Sequence, residues 1–197
     1  MPIEKKQIKV GITGAIGAGK TFVSSIFEKL GFPVFNSDIE AKKCMQSDKY
    51  LIEQIKVVFG DKVYANNILQ KNILSEIIFN DNEKLKSLNH LIHPVVSKNF
   101  INWCRLQDSD IIIKEAAILF ESGSHDILDK IICVSAEEEI RIKRVMSRDK
   151  CDKNHVLSIM SKQMTQKEKE KLSDFIIIND DKKLLLPQIV DVITKIS

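Results

Sequence analysis

The sequence predicts an α/β fold: a parallel five-stranded sheet with helices on both faces, a helical insertion and a basic lid. Three observations predict it. Short apolar, β-branched runs alternate with helix-patterned stretches, as parallel βα units require. Residues 49–107 carry helical patterning without a convincing core strand, too long for a plain crossover. Residues 7–30 hold a strand, a glycine loop and a helix in immediate succession.

That first unit opens with the apolar run Ile8–Thr13 and continues into Gly14-Ala15-Ile16-Gly17-Ala18-Gly19-Lys20-Thr21. The spacing G-x-x-x-x-G-K-[ST] is that of a P-loop. Glycines let the backbone aim its N–H groups at an anion without Cβ clashes. The helix N-terminus that follows adds donors and partial positive charge. Lys20 can reach the β- and γ-phosphates, and the Thr21 hydroxyl can ligate the Mg²⁺ bridging them. The glycine order is not G-x-G-x-x-G, which disfavours a dinucleotide fold. The helix over residues 21–30 sets Phe22, Val23, Ile26, Phe27 and Leu30 on one side.

Gly31 stands where a C′ glycine belongs. Pro33-Val34-Phe35-Asn36 reads as a second strand, followed at once by Ser37-Asp38 and a helix over residues 39–46. Strand C-termini in open α/β sheets line the ligand crevice, so Asp38 is expected on the rim that holds the P-loop. In the insertion, helices are expected at 50–59 (closed by Gly60), 71–79 and 82–106, with Pro94 kinking or breaking the last. Residues 110–114, 130–135 and 175–178 complete the sheet. Helices at 137–148, 154–162 and 166–172 lie between the last two of these strands. An amphipathic helix at 182–196 ends the chain, with Leu185, Ile189, Val192, Ile193 and Ile196 apolar and Pro187 in its first turns.

Bulk composition bounds the partners. Lys+Arg number 30 and Asp+Glu 27, a net +3 too mild to argue for nucleic acid. Residues 141–171 nevertheless hold ten Lys/Arg against four Asp/Glu, a local +6 that either meets an anion or is a solvated helical face. Cys44, Cys104, Cys133 and Cys151 form no C-x-x-C and are expected as free thiols in a reducing cytosol. No signal-like apolar region precedes the first strand, and no apolar run approaches the roughly 18 residues of a membrane span. The expectation is a soluble cytoplasmic protein, monomeric or weakly homo-oligomeric, with neither membrane nor nucleic acid as partner.

Phosphoryl transfer needs a phosphate cradle, a metal, a group that positions the acceptor, and cations around the moving charge. Asp38 is the candidate base, against the alternative that it N-caps the next helix. Glu115 could hold a magnesium-bound water or meet the substrate, or simply close its strand. Arg141, Arg144 and Arg148 recur at i, i+3 and i+7, a spacing that suits phosphate oxygens or base stacking, against a surface interleaved with Glu137, Glu138 and Glu139. His90 and His93 are spaced like a metal pair but have no third ligand nearby in sequence, so core or substrate-contact roles are favoured. Cys44 shows no nucleophile signature.

These motifs resemble the dephospho-CoA kinase family nearly end to end. Residues 13–21 are similar to its T-G-G-I-G-S-G-K-S/T, and Asn36-Ser37-Asp38-Ile39 falls at D-A-D-x. His93-Pro94 lies in the inserted helices, and Ile118-Leu119-Phe120-Glu121-Ser122-Gly123 matches P-L-L-F-E-S-G. Arg144, Arg148-Asp149, Gln163 and residues 174–179 (A-D-x-x-I-x-N) follow in order. The resemblance implies a nucleotide-kinase-like fold: a core at 1–37, 108–140 and 174–197, a CoA-binding helical domain at 38–107 and a lid at 141–173. It implies ATP, Mg²⁺ and transfer to the ribose 3′-hydroxyl of dephospho-CoA. Asp38 would then be the base, and Lys20, Arg144 and Arg148 would stabilise the moving phosphoryl. The run from Gly14 to Phe22 would hold ATP, with Asn179 near adenine, while His93 and Glu115 would meet the acceptor. Three positions depart from the pattern. Asn36 replaces an acid whose role is lost or moved to Glu115, and Ala117 replaces a proline. Gln166, Lys167 and Lys169 stand where an arginine usually follows Gln163.

Rival readings are another small-molecule P-loop kinase acting on a nucleoside or shikimate-like alcohol, a GTP-binding switch, and a nucleic-acid-binding ATPase. The switch lacks Asn-Lys-x-Asp and Asp-x-x-Gly. The ATPase rests on the basic lid alone.

Overall fold

The computed structural model describes residues 7–79 and 81–197. The expected lead-in at 1–6 lies outside the described residues. In chain order the elements are β1 (Ile8–Thr13), α1 (Lys20–Lys29), β2 (Val34–Asn36), α2 (Ser37–Ser47), α3 (Lys49–Phe59), the two-residue strands β3 (Tyr64–Ala65) and β4 (Ile68–Leu69), α4 (Lys71–Phe79) and α5 (Asn82–Cys104). Next come β5 (Ile111–Glu115), β6 (Lys130–Ser135), α6 (Glu138–Asp149), α7 (Lys153–Met160), α8 (Gln166–Leu172), β7 (Phe175–Ile178) and α9 (Leu185–Ile196). They form two compact units, the first of residues 7–36 and 107–197 and the second Ser37–Leu106.

The first unit carries a five-stranded sheet of order β2-β5-β1-β6-β7, parallel at every pairing. Its strands are apolar and β-branched because both faces are covered: all five residues of β5 are buried. Val10, Ile12, Ile113, Ile132, Val134 and Ile177 pack with Val23 and Phe27 of α1 and with Ile189 and Val192 of α9. Burying a side chain such as Phe27 contributes about 1.5–3 kcal/mol.

Helix α1 ends as its glycine predicts. Gly31 has φ +93°, its N–H reaches Glu28 O, and Phe32 N–H reaches Phe27 O. This is the Schellman pairing, and the Phe27 and Phe32 rings close it edge-on at 6.1 Å. The expected apolar face is narrower than read. Phe22 is 61% and Leu30 44% exposed, whereas Val23, Ser24 and Phe27 are buried. The helix stops at Lys29, so Leu30 belongs to the cap, and Phe22 lies a hundred degrees around the helix from Val23. The last helix likewise starts later than expected, at Leu185. Asp180 first accepts from the N–H groups of Lys182 and Lys183 in a turn that holds Asp181 at φ +62°.

In the second unit Asp48 caps α3 and Asp81 caps α5, each through its carboxylate. Gly60 closes α3 at φ +90°. Helix α5 runs through Pro94 without interruption, contrary to a break there. The carbonyl that proline leaves unbonded is that of His90, an exposed residue where water can serve it. A hairpin absent from the sequence reading joins β3 to β4, with Asn66 and Asn67 at φ +50° and +61°. Two consecutive left-handed residues make the tight turn that matches strand twist, and asparagine tolerates them. The Tyr64 hydroxyl donates to Met45 O at 2.6 Å, and burial pushes its pKa up to about 12.

Candidate active site

The P-loop follows β1 and ends on the N-terminus of α1. Helix α1 makes its first backbone bond from Val23 N–H to Gly19 O, so the amides of Lys20, Thr21 and Phe22 precede the helical ladder. That places donors of three consecutive residues at one end, and Phe22 contributes by backbone while its ring is exposed. Gly19 is required twice over. Its φ of +90° suits glycine, and a Cβ there would collide with the Asn179 amide, which donates from Nδ2 to Ala18 O at 2.9 Å.

Lys20 Nζ lies against the loop backbone, donating to Gly14 O at 2.9 Å and Ala15 O at 3.4 Å. Thr21 Oγ1 donates to Glu115 Oε1 at 2.6 Å, and Asn36 Nδ2 donates to Glu115 Oε2 at 2.8 Å. Glu115 is only 3% exposed, and the register pairs it with Ile12 on one side and Asn36 on the other. A buried carboxylate needs such donors. Here they come from the residue that follows the P-loop lysine and from the residue that departs from the D-A-D pattern.

Arg144 projects from α6 to Gly17 O at 3.4 Å and Asn179 O at 3.0 Å, and it pairs with Asp181. Asn179 N–H in turn donates to Ser135 O at 2.7 Å. Arg148 is exposed and forks onto its neighbour Asp149 at 2.7 and 2.8 Å, a bond that raises its pKa and lowers that of Asp149. Arg141 is buried, donates from Nε to Ala136 O at 3.1 Å, and has its pKa lowered by desolvation. The three arginines thus leave one helix in three environments.

Two residues that the sequence names only as departures from the family's arginine after Gln163 make contacts it does not foretell. Gln166 Oε1 accepts from Ala15 N–H at 3.0 Å. Lys169, considered there as a lid cation, is fully buried, bonded to Ala117 O at 2.6 Å and paired with Glu121 at 2.8 Å. Glu121 also accepts from Met164 N–H at 2.9 Å, which gives the Leu-Phe-Glu-Ser-Gly stretch a structural partner. A cavity of about 600 Å³ opens beside Ala15, with Arg141, Gln163 and Gln166 among its lining. Cys133 lies in the same neighbourhood, and burial pushes its thiol up to about 11. Burial and Glu40 raise the Cys44 pKa, so neither is an activated nucleophile.

The remaining candidates lie in the second unit. α2 begins at Ser37, so Asp38 sits inside its first turn instead of capping it, and its side chain is exposed. His93 is half-buried and His90 exposed on α5. Among the described residues no three His, Cys, Asp or Glu side chains gather as a metal cluster. No described helix is long and apolar enough to cross a membrane. The oxygen donors that do meet, Thr21 and Glu115, are hard ligands of the kind Mg²⁺ takes alongside phosphate oxygens.

The chain is similar to known proteins along almost its whole length. A dephospho-CoA kinase of Bacteroides fragilis is 38% identical over 187 residues, covering 94% of this chain and 91% of that protein. A solved structure from Thermus thermophilus superposes with a TM-score of 0.86 at 27% identity, covering 96% of this chain and 97% of that one. The dephospho-CoA kinase of Campylobacter jejuni superposes with a TM-score of 0.69 at 29% identity, covering 96% of each. The family described as dephospho-CoA kinase matches residues 8–184, which take in the P-loop, the inserted helices, Glu121 and Asn179. The chain belongs to the dephospho-CoA kinase family.

Proposed function

We propose that the protein transfers the γ-phosphoryl group of ATP to the ribose 3′-hydroxyl of dephospho-CoA. The products are coenzyme A and ADP, in the last step of coenzyme A biosynthesis. The match of residues 8–184 to the family carries this reading, because it takes in both folded units.

The roles of the residues follow from their chemistry. The amides of residues 17–22 and the Lys20 ammonium hold the β- and γ-phosphates. Asp38 orients the 3′-hydroxyl and takes its proton as the new O–P bond forms and the bond from the γ-phosphorus to the bridging oxygen breaks. Lys20, Arg144 and Arg148 meet the negative charge on the moving group and on the departing ADP. Asn179 lies beside the adenine, and Phe22 joins the nucleotide site through its amide. The residues fit Mg²⁺: donating its proton to Glu115 leaves the Thr21 oxygen lone pairs free for a cation. Bound there with a water on Glu115, the metal would neutralise charge on the phosphate oxygens.

In the same reading residues 38–107 receive dephospho-CoA, with His93 against it, and residues 141–173 close as a lid. The protein works in the cytoplasm on a free small molecule, as a monomer or weak homo-oligomer, without nucleic acid or membrane. A coupled ADP-release assay with ATP and Mg²⁺ over dephospho-CoA, adenosine and shikimate tests it. Turnover of dephospho-CoA alone is expected. Turnover of adenosine or shikimate with dephospho-CoA untouched would overturn the substrate assignment.

A further inference from the structure

The peptide unit joining Gly14 to Ala15 is held at both ends by side chains. Its carbonyl accepts from Lys20 Nζ at 2.9 Å, and its N–H donates to Gln166 Oε1 at 3.0 Å. Because a trans peptide points its oxygen and its hydrogen in opposite directions, these are two clamps on one rigid plane. Turning the plane over would carry the carbonyl away from Lys20 and bring it toward Gln166.

Little in the local chain resists that turn. The plane hangs on Gly14, whose φ of +152° carries no Cβ to bias it, and a Cβ there would collide with Val134 O. The next carbonyl, Ala15 O, is fixed separately by Ala18 N–H at 3.1 Å. The orientation of the first plane therefore rests on its two side-chain clamps, Lys20 on the carbonyl and Gln166 on the N–H.

Gln166 is built to take it. Its Nε2 donates to Glu170 Oε1 at 3.0 Å and to Val134 O at 3.3 Å, and contacts Cys133 Sγ at 3.2 Å. Glu170 is held in turn by the Ser135 hydroxyl at 2.6 Å. With acceptors on the amide nitrogen side, the amide oxygen must face Ala15, so the network fixes which end of Gln166 meets the loop.

We propose that Gln166 is a positioning residue for nucleotide binding, acting through the Gly14–Ala15 peptide to hold Lys20 in place against the P-loop. The proposal deepens the kinase reading and rests on it for the identity of the nucleotide. Gln166 contributes no charge. Its effect runs from α8 through one backbone plane to the lysine.

The test compares Gln166→Leu, which removes the acceptor, with the paired exchange Gln166→Glu/Glu170→Gln. The exchange restores an acceptor for Ala15 N–H and an amide donor between the two side chains. Titration with a fluorescent ATP analogue, without acceptor, reads nucleotide affinity directly. Gln166→Leu should weaken the analogue and raise KM for ATP about tenfold, the scale of one lost hydrogen bond. KM for dephospho-CoA should stay within about twofold and Tm should move little, and the exchange should recover most of the affinity. A merely structural role would shift Tm and both KM values together. Analogue affinity within twofold of wild type in Gln166→Leu would overturn the proposal. If Gln166→Leu fails to fold, the exchange decides. Folded protein with near wild-type affinity supports the proposal, and folded protein with weak affinity overturns it. Wild-type protein that binds the analogue but leaves dephospho-CoA unchanged would overturn the substrate assignment, and the titration would still judge Gln166.

Discussion

Thr21 gives its hydroxyl proton to Glu115 at 2.6 Å, across 94 residues of sequence. The carboxylate thereby fixes the hydroxyl rotor and leaves its lone pairs for a cation. Residues that orient a metal ligand typically change affinity for the metal 10- to 100-fold. Glu115→Gln should raise the Mg²⁺ concentration for half-maximal rate about tenfold, Thr21→Val at least as much, and Thr21→Ser little. Identical Mg²⁺ titrations for all three variants would remove the pair from the metal site.

Asp38 is testable with less ambiguity because it lies inside the first turn of α2. Asp38→Asn keeps its size and removes charge and basicity. Losing a negative charge there costs about 0.3–1 kcal/mol, a small shift in Tm. As the base, its loss should lower kcat about 10²-fold or more with ATP affinity unchanged. Full activity in Asp38→Asn would leave Glu115 as the next carboxylate to test.

Arg144 and Arg148 differ in setting, and the variants should show it. Arg144→Ala removes a link between the P-loop and Asn179 as well as a cation, so kcat should fall about 10²-fold. Arg148→Ala loses the exposed fork to Asp149 and should cost about tenfold in kcat. Neither should change KM for dephospho-CoA. An ATP analogue should also protect residues 150–171 from protease. Unchanged cleavage with nucleotide would return this basic stretch to an ordinary solvated surface.

The pairing of Lys169 with Glu121 is a stability prediction. Lys169→Met removes a fully buried ammonium and strands a carboxylate that keeps 22% of its side-chain surface exposed. The loss should be about 3 kcal/mol, the low end for a broken buried pair. Adding Glu121→Gln should recover part of it. Urea unfolding measures both, and a loss below about 1 kcal/mol for the single variant would show that the pair does not brace the fold.

What was legible in the sequence was local. Ile8–Thr13 and Lys130–Ser135 declare themselves as strands because both faces of the sheet are largely buried there, and Phe175–Ile178, an edge strand with Ile176 exposed, by its apolar β-branched run. Gly31 announced its helix end by the one backbone region it favours. What escaped depends on partners far away in the chain. Gln166 meets Ala15 across 151 residues and Lys169 meets Ala117 across 52, and no periodicity encodes either. The hairpin at Asn66 and Asn67 was missed for a different reason. Its strands are two residues each, too short to alternate, and the only signal was the asparagine pair itself.

The burial of Cys133 has a practical outcome. With burial pushing the Cys133 thiol up to about 11, the group stays protonated at neutral pH, so electrophiles and peroxides should pass this sulfur by. Cys44 and Cys104 are also buried, leaving Cys151, half-buried in the link between α6 and α7, as the most open of the four. A maleimide dye should therefore settle mainly at one end of the basic segment. The wild-type chain carries its own attachment point for a fluorescence reporter of whether nucleotide moves that segment.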